Sequence, residues 1–433
     1  MKRRPRLSLP VVAIGLLAIL AAGCAPDQSA GSSPTQSTIP APLSPTPANE
    51  PRPSGSPSPE PRPSATTAPA TSESPSRTPG PAGEIRANAL GKLTGNWIFV
   101  GKQVPYPHNI WAEVQIWAIP LDTGAPRLAF AYDVSLGGIP EAIFDTTPYL
   151  RRQFSPDGTR MVISVGGRLV VVDIVSGQAR PLGVSGYFPA WSKDGSQIAF
   201  VDFLPFDQVV PPLEAIFVVS SAGGAVRELA RVGYARQAVE WSPDGSTVIV
   251  AAQEGIALVD AGTGRVVRRL AETAAYRAFA IWRAAVPQIA IATGACDGTS
   301  TALIGLDDAA GSERTVLDTK ERCPPLTVQD PRWNPASLDE LLYVATRATA
   351  GAMPNEYRTH LLNVRSGRDT TLPFDAYEAT WTWDGSAIAY LARAATGFYA
   401  DSVRVWRRNG TGDRVLQTDK ENPTFFSIAS VSY

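Results

Sequence analysis

Phe154-Ser-Pro-Asp-Gly158, Trp191-Ser-Lys-Asp-Gly195, Trp241-Ser-Pro-Asp-Gly245 and Trp381-Thr-Trp-Asp-Gly385 are one pentapeptide written four times. Two weaker echoes stand between them, Trp282-Arg-Ala-Ala-Val and Trp333-Asn-Pro-Ala-Ser. Self-similarity at a spacing of roughly 40–50 residues is the mark of a propeller or a solenoid. It reads clearly for architecture and says much less about activity.

What flanks the pentapeptide decides between the two. A β-rich run follows each copy, as in Gln197-Ile-Ala-Phe-Val and Ala387-Ile-Ala-Tyr-Leu. A second run ends in a glycine turn (Leu169-Val-Val-Val-Asp to Gly177, Ile256-Ala-Leu-Val-Asp to Gly264). A short strand of basic and aliphatic residues, such as Val266-Val-Arg-Arg-Leu, closes the unit. Together with the next pentapeptide strand this gives four antiparallel strands per repeat, the blade of an all-β propeller. The glycine turn recurs at Gly124, Gly177, Gly224, Gly264, Gly311, Gly367 and Gly412, whereas the aromatic strand occurs at Phe154, Trp191, Trp241, Trp282, Trp333 and Trp381. The expectation is a seven-bladed β-propeller, with six blades as the alternative. Its first unit begins at Asn96-Trp-Ile-Phe-Val, and the C-terminal Pro423-Thr-Phe-Phe-Ser-Ile supplies the missing inner strand. Such closure removes an open edge.

These repeats resemble those of the TolB-type, WD40-like bacterial propellers, in which W-S-P-D-G leads into an Ile-Ala-Phe-Val strand. The resemblance covers most of 150–395 and implies fold far more than chemistry. It places Asp157, Asp194, Asp244 and Asp384 in tight turns, a structural role. The echoes lack this aspartate, which rules out a ring of ligands.

The N-terminus reads separately. Lys2, Arg3, Arg4 and Arg6 precede an apolar stretch from Leu7 to Ala22, and Ala21-Ala22-Gly23-Cys24 follows. Residues 1–23 read as a secretory signal. Small residues running into Cys24 resemble the lipobox of bacterial lipoproteins, with Ala21 standing where the family usually has leucine, and the resemblance implies lipidation of Cys24. Residues 24–84 form a Pro/Ser/Thr-rich linker that buries too little apolar surface to order itself. In a polyproline II conformation it would reach on the order of 100–190 Å. The propeller domain is then 85–433. The formal net charge is −1, no basic patch stands out, and nucleic acid is not an expected partner. The expected location is the extracytoplasmic face of a membrane, as a lipid-anchored monomer.

Long connections on the face opposite the short turns direct attention to Tyr106, His108, Trp111, Phe203, Phe206, Tyr357, Phe398 and Tyr399 as a ligand-binding set, with packing over their own blades as the other reading. Cys296 and Cys323 lie in connections on that same face and read as a disulfide. Closing a loop of about 27 residues, it would contribute roughly 3 kcal/mol. With His108 and His360 as the chain's two histidines, no G-x-S-x-G elbow and no cofactor or metal fingerprint, the expectation is a non-enzymatic module that binds an envelope protein or glycan. The competing class is a carbohydrate-active enzyme using a pair among Asp202, Asp207, Glu214 and Asp297.

Overall fold

A computed structural model of the chain describes residues 84–432, except 107–110, 123, 136–149, 204–213, 234–238, 253–254, 271–276, 284–285, 287, 295–300, 309–312, 323–325, 348–355, 394–399, 409–411 and 420–424. The chain divides into two units, Met1–Ser76 and Arg77–Tyr433, of which the first lies outside the described residues. Cys24, Cys296 and Cys323, and with them the anchor and the disulfide, also fall outside.

The second unit is an all-β succession of antiparallel strands. First come β1 (Ile85–Ala87), β2 (Asn96–Pro105), β3 (Trp111–Pro120) and β4 (Arg127–Ser135), hydrogen-bonded in the order β1-β4-β3-β2. A 3-10 turn at Leu150–Gln153 and a bridge from Phe154 to Met161 lead into β5 (Arg160–Val165), β6 (Arg168–Asp173) and β7 (Ala179–Ser185). The meanders that follow are β8 (Tyr187–Trp191) to β9 (Gln197–Phe203), β10 (Glu214–Ser220) and β11 (Val226–Gly233), then β12 (Glu240–Trp241), β13 (Thr247–Ala252), β14 (Gly255–Asp260) and β15 (Val266–Leu270). Next are β16 (Arg277–Trp282), β17 (Gln288–Gly294), β18 (Thr301–Asp308) and β19 (Glu313–Arg322), and β20 (Leu326–Trp333), β21 (Glu340–Arg347), β22 (Glu356–Asn363) and β23 (Arg368–Thr371). The last meander is β24 (Ala376–Trp381), β25 (Ala387–Arg393), β26 (Ala400–Arg407) and β27 (Gly412–Thr418), and β28 (Phe425–Ser432) ends the chain. β28 pairs with β2 from Asn96↔Ser432 to Lys102↔Phe425 and touches β26 through Ala400↔Phe425, so the first and last groups form one sheet among six.

Burial explains the sequence pattern strand by strand. The second strands read as near-continuous apolar runs (Met161 to Ile163, Ile198 to Val201, Ile388 to Leu391) because both of their faces are covered. Outermost strands are largely exposed, and β23 is polar and exposed throughout, which blunts that edge. Hydrophobic clusters bridge neighbouring groups. Phe99 meets Phe154 with ring centroids 4.8 Å apart, and another cluster joins Ala387, Ala389 and Val403 to Ile98, Val100 and Ile428.

Each intact pentapeptide makes the same turn. Gly158 N–H donates to the Ser155 carbonyl at 2.9 Å, Ser155 Oγ donates to Asp157 Oδ1 at 2.5 Å, and Asp157 Oδ1 accepts the Thr159 N–H at 3.1 Å. Ser192–Asp194, Ser242–Asp244 and Thr382–Asp384 repeat it, each hydroxyl 2.6 Å from its carboxylate. Ser, Pro, Asp and Gly in that order suit a tight β-turn. The tryptophan then ties its sheet to the preceding one, as Trp191 Nε1 donates to the Gln153 carbonyl (2.7 Å), Trp241 Nε1 to Ala190 (3.1 Å) and Trp381 Nε1 to Arg332 (3.2 Å).

At the outer rim, arginines of the fourth strands reach the next group's glycine turn. Arg180 Nη2 donates to the Ser221 carbonyl at 2.6 Å and Arg227 Nη2 to Ala261 at 2.7 Å, and Arg414 reaches the Leu121 and Asp122 carbonyls across the chain's two ends. Gly264 is required at one such contact. Its φ is +74°, and a Cβ there would stand 2.2 Å from the Leu229 carbonyl oxygen.

Candidate functional site

Because each meander starts with the pentapeptide strand, those strands and their turns gather at one place. A cavity of about 300 Å³ opens there, lined by residues within or leading into all six sheets: Phe154, Trp191, Trp241, Ile281, Arg332, Trp383 and Val431 among them. A smaller space of about 110 Å³ adjoins it and shares Arg151, Lys193, Glu240, Ile281, Arg332 and Trp383. Both lie at the end of the molecule that carries the pentapeptide turns, the end opposite the connections between second and third strands.

Charge in this cavity is unbalanced. Its lining carries Arg151, Arg152, Lys193 and Arg332 against Glu240. Arg152 Nη2 pairs with Glu240 Oε2 at 2.6 Å, and Arg332 Nη2 lies 3.6 Å from Glu378 Oε1, with both of the latter side chains buried. Arg151 donates to the Ser430 carbonyl at 3.1 Å and stacks over the Trp383 ring at 4.8 Å, with no carboxylate partner among the described residues. Lys193 has no hydrogen-bond or ion-pair partner among them. Arg151 and Lys193 present open surface yet are walled by protein, as groups in a channel mouth are. Desolvation pushes the Arg151 pKa down, the Arg332 charge adds to the effect, and Glu240 opposes it. Lys193 is likewise lowered, by desolvation first and the Arg151 charge second. Trp383 keeps 41% of its surface exposed at the rim.

Among the described residues, none of the ligand-binding or carboxylate candidates read from sequence lines this cavity. Tyr106 follows β2, whose pairing with β3 runs on to Pro105↔Ala112, and its N–H donates to the Trp111 carbonyl at 3.0 Å. Its hydroxyl donates to Asp133 Oδ1 at 2.7 Å beside Arg86, which bonds Asp133 at 2.9 Å and Glu113 at 2.8 Å. Burial and that carboxylate push the Tyr106 pKa up to about 12. Phe203 packs edge-on to Tyr187 at 5.8 Å, and Tyr357 meets Tyr377 at 6.0 Å beneath the Arg393 guanidinium. Trp111 opens β3. His108, Phe206, Phe398, Tyr399, Asp207 and Asp297 lie outside the described residues.

Of the proposed carboxylates, Glu214 stands opposite Phe203 and Asp202 opposite Ala215, so alternation sends the two to opposite faces of the sheet. His360, the other histidine, sets Nδ1 3.0 Å from Asp369 Oδ2 and stacks on Tyr343 at 4.8 Å.

The axial charges were missed because the residue type at their positions is not repeated. Glu240, Ile281 and Arg332 are the residues just before an aromatic, and Lys193 and Trp383 are the third of a pentapeptide. Comparing those two columns across the repeats would have exposed Lys193, Glu240 and Arg332, whereas Arg151 and Arg152 stand outside both.

Neither the protein-family models nor the curated proteins contain a match to this sequence. Among solved structures, the chain is similar to TolB from Acinetobacter baumannii (16% identity over 77% of this chain and 82% of that one, TM-score 0.42). It is similar to the beta-propeller domain of the Trilobed protease from Pyrococcus furiosus (10%, over 75% and 84%, TM-score 0.41). A third is an acylaminoacyl peptidase from Pyrococcus horikoshii (13%, over 77% and 52%, TM-score 0.52), of which the chain spans about half. The expectation of a non-enzymatic chain is corrected by these likenesses. An enzyme, the acylaminoacyl peptidase, stands among the structures it resembles. At such identities the likeness speaks for fold alone, and the all-β propeller rests on the sheets described above.

Proposed function

We propose that this chain is a protein-binding propeller module held on an extracytoplasmic membrane face by lipid at Cys24 and carried on the 24–84 linker. In this reading the strand groups are seven blades, closed by β28 completing the β2–β4 sheet, with the Arg414 contact and the cluster joining Ile98 to Ala387 in support. The partner docks at the axial mouth on the pentapeptide-turn end. One observation carries this: residues from all six sheets converge on a single cavity in which Lys193 has no ion-pair partner among the described residues and Trp383 stays open. Polar groups fixed by a rigid scaffold around an apolar wall are what a binding site needs.

A photoreactive phenylalanine analogue placed at Trp383 or Pro243 tests it in intact cells, with Val267, 57% exposed on an outermost strand, as the control. A defined protein adduct is expected from the two mouth positions and none from Val267. Adducts from Trp111 or Tyr357 in place of the mouth would move docking to the long-loop end and contradict the proposal.

A further inference from the structure

Building on that reading, we propose that the axial cavity takes a peptide carboxylate, either an acidic side chain or a chain end, between Arg151 and Lys193. Two cations of the wall already face carboxylates, Arg152 with Glu240 and Arg332 with Glu378. Arg151 and Lys193 remain with cationic heads facing the same space and no carboxylate partner among the described residues. Both are exposed at the mouth, where their heads are open to an entering anion. Arg151 is fixed in place by the Ser430 carbonyl on one side and the Trp383 ring on the other, which pre-sets its fork for a carboxylate.

The remaining wall selects among anions. Ile281, Trp383 and Pro243 line the space beside the charges and suit the carbon skeleton of a peptide, which a simple inorganic ion lacks. About 300 Å³ lies at the lower limit of the roughly 300–1,000 Å³ typical of ligand pockets, room for a short peptide segment and not a folded domain.

Calorimetric titration of the full chain in detergent at low salt tests this, with acetyl-triglutamate amide, acetyl-triglutamine amide, acetyl-triglycine bearing a free carboxylate, and inorganic phosphate as probes. Triglutamate, free-acid triglycine or both should bind at least about tenfold more tightly than triglutamine, the discrimination one charge-assisted hydrogen bond gives. Which of them binds assigns the side chain or the chain end. Lys193→Gln, in an exposed turn position, should lose about tenfold, Arg151→Gln at least as much, and Lys193→Glu all measurable binding, while Lys92→Gln changes nothing. Triglutamine binding as well as the acidic probes, phosphate matching the peptides, or Lys193→Gln binding unchanged in a normally melting protein would overturn the assignment. A mouth crosslink obtained without carboxylate preference would leave the docking site standing and remove only this inference.

Discussion

The indole N–H groups of Trp191, Trp241 and Trp381 each donate to the preceding sheet, whereas those of Trp282 and Trp333 are buried without a hydrogen-bond partner among the described residues. The difference follows the sequence. The two echoes lost the Ser-x-Asp-Gly turn that seats the strand, and at Asn334 a substitute has grown up, with Oδ1 accepting the Ala336 N–H at 2.8 Å and Nδ2 donating to Glu340 at 2.7 Å. Replacing tryptophan by phenylalanine keeps an aromatic plug and removes only the donor. At Trp191, Trp241 and Trp381 this should cost about 1 kcal/mol more than at Trp282 and Trp333, where deleting an unsatisfied donor offsets lost packing. Urea unfolding midpoints with unchanged slopes measure it. Equal losses at all five positions would show that the hydrogen bonds add nothing.

Among elements, the pentapeptide turn and β28 make opposite kinds of prediction. In the turn, the Ser192 and Ser196 hydroxyls and the Ser196 N–H hold the Asp194 pKa down at about 2. Asp244 is lowered in the same way, by Ser242 first. At Asp157 and Asp384 burial works against the carboxylate and the hydrogen bonds outweigh it. A pKa lowered by folding gives stability that is present above the unfolded value of about 3.9 and is lost as pH falls through the folded one. Asp194→Asn should therefore flatten the loss of stability between about pH 4 and pH 2 while lowering it at neutral pH. A variant whose acid profile tracks the parent's would remove this role for the turn. Deleting 425–433 acts otherwise, since it strips β2 of its partner and uncovers Ile98 and Val100, both fully buried. An open apolar edge is an aggregation template, so the truncated chain should associate and unfold without cooperativity. A monomeric, cooperatively melting truncation would refute closure by β28. These elements were legible in advance because turn chemistry and apolar runs repeat along the chain. The extra strand β1 was not, since Ile85-Arg-Ala has no periodicity to read and is held by Arg86 through Asp133 and Glu113, far away in sequence.

For the whole molecule, fold and site differ in how they are written. The fold is encoded once per repeat and survives the loss of two copies. The axial site is encoded by single residues from different repeats, Arg151, Lys193, Glu240 and Arg332, that become neighbours only once the sheets are arranged around one cavity. The long-loop aromatics looked more like a binding surface because they stand out in sequence, yet Phe203 and Tyr357 pack against Tyr187 and Tyr377, and Tyr106 serves the Arg86–Asp133 network. The central claim is that partners dock at the mouth formed by the pentapeptide turns. Hydrogen exchange of the full chain, alone and bound to the protein identified by the Trp383 crosslink, tests it most directly. Slower exchange on binding is expected at Leu150–Gln153 and at the amides of the turns around Lys193, Pro243 and Trp383. Protection confined to the far ends of β2, β3, β21 and β22, with the turns unchanged, would contradict it.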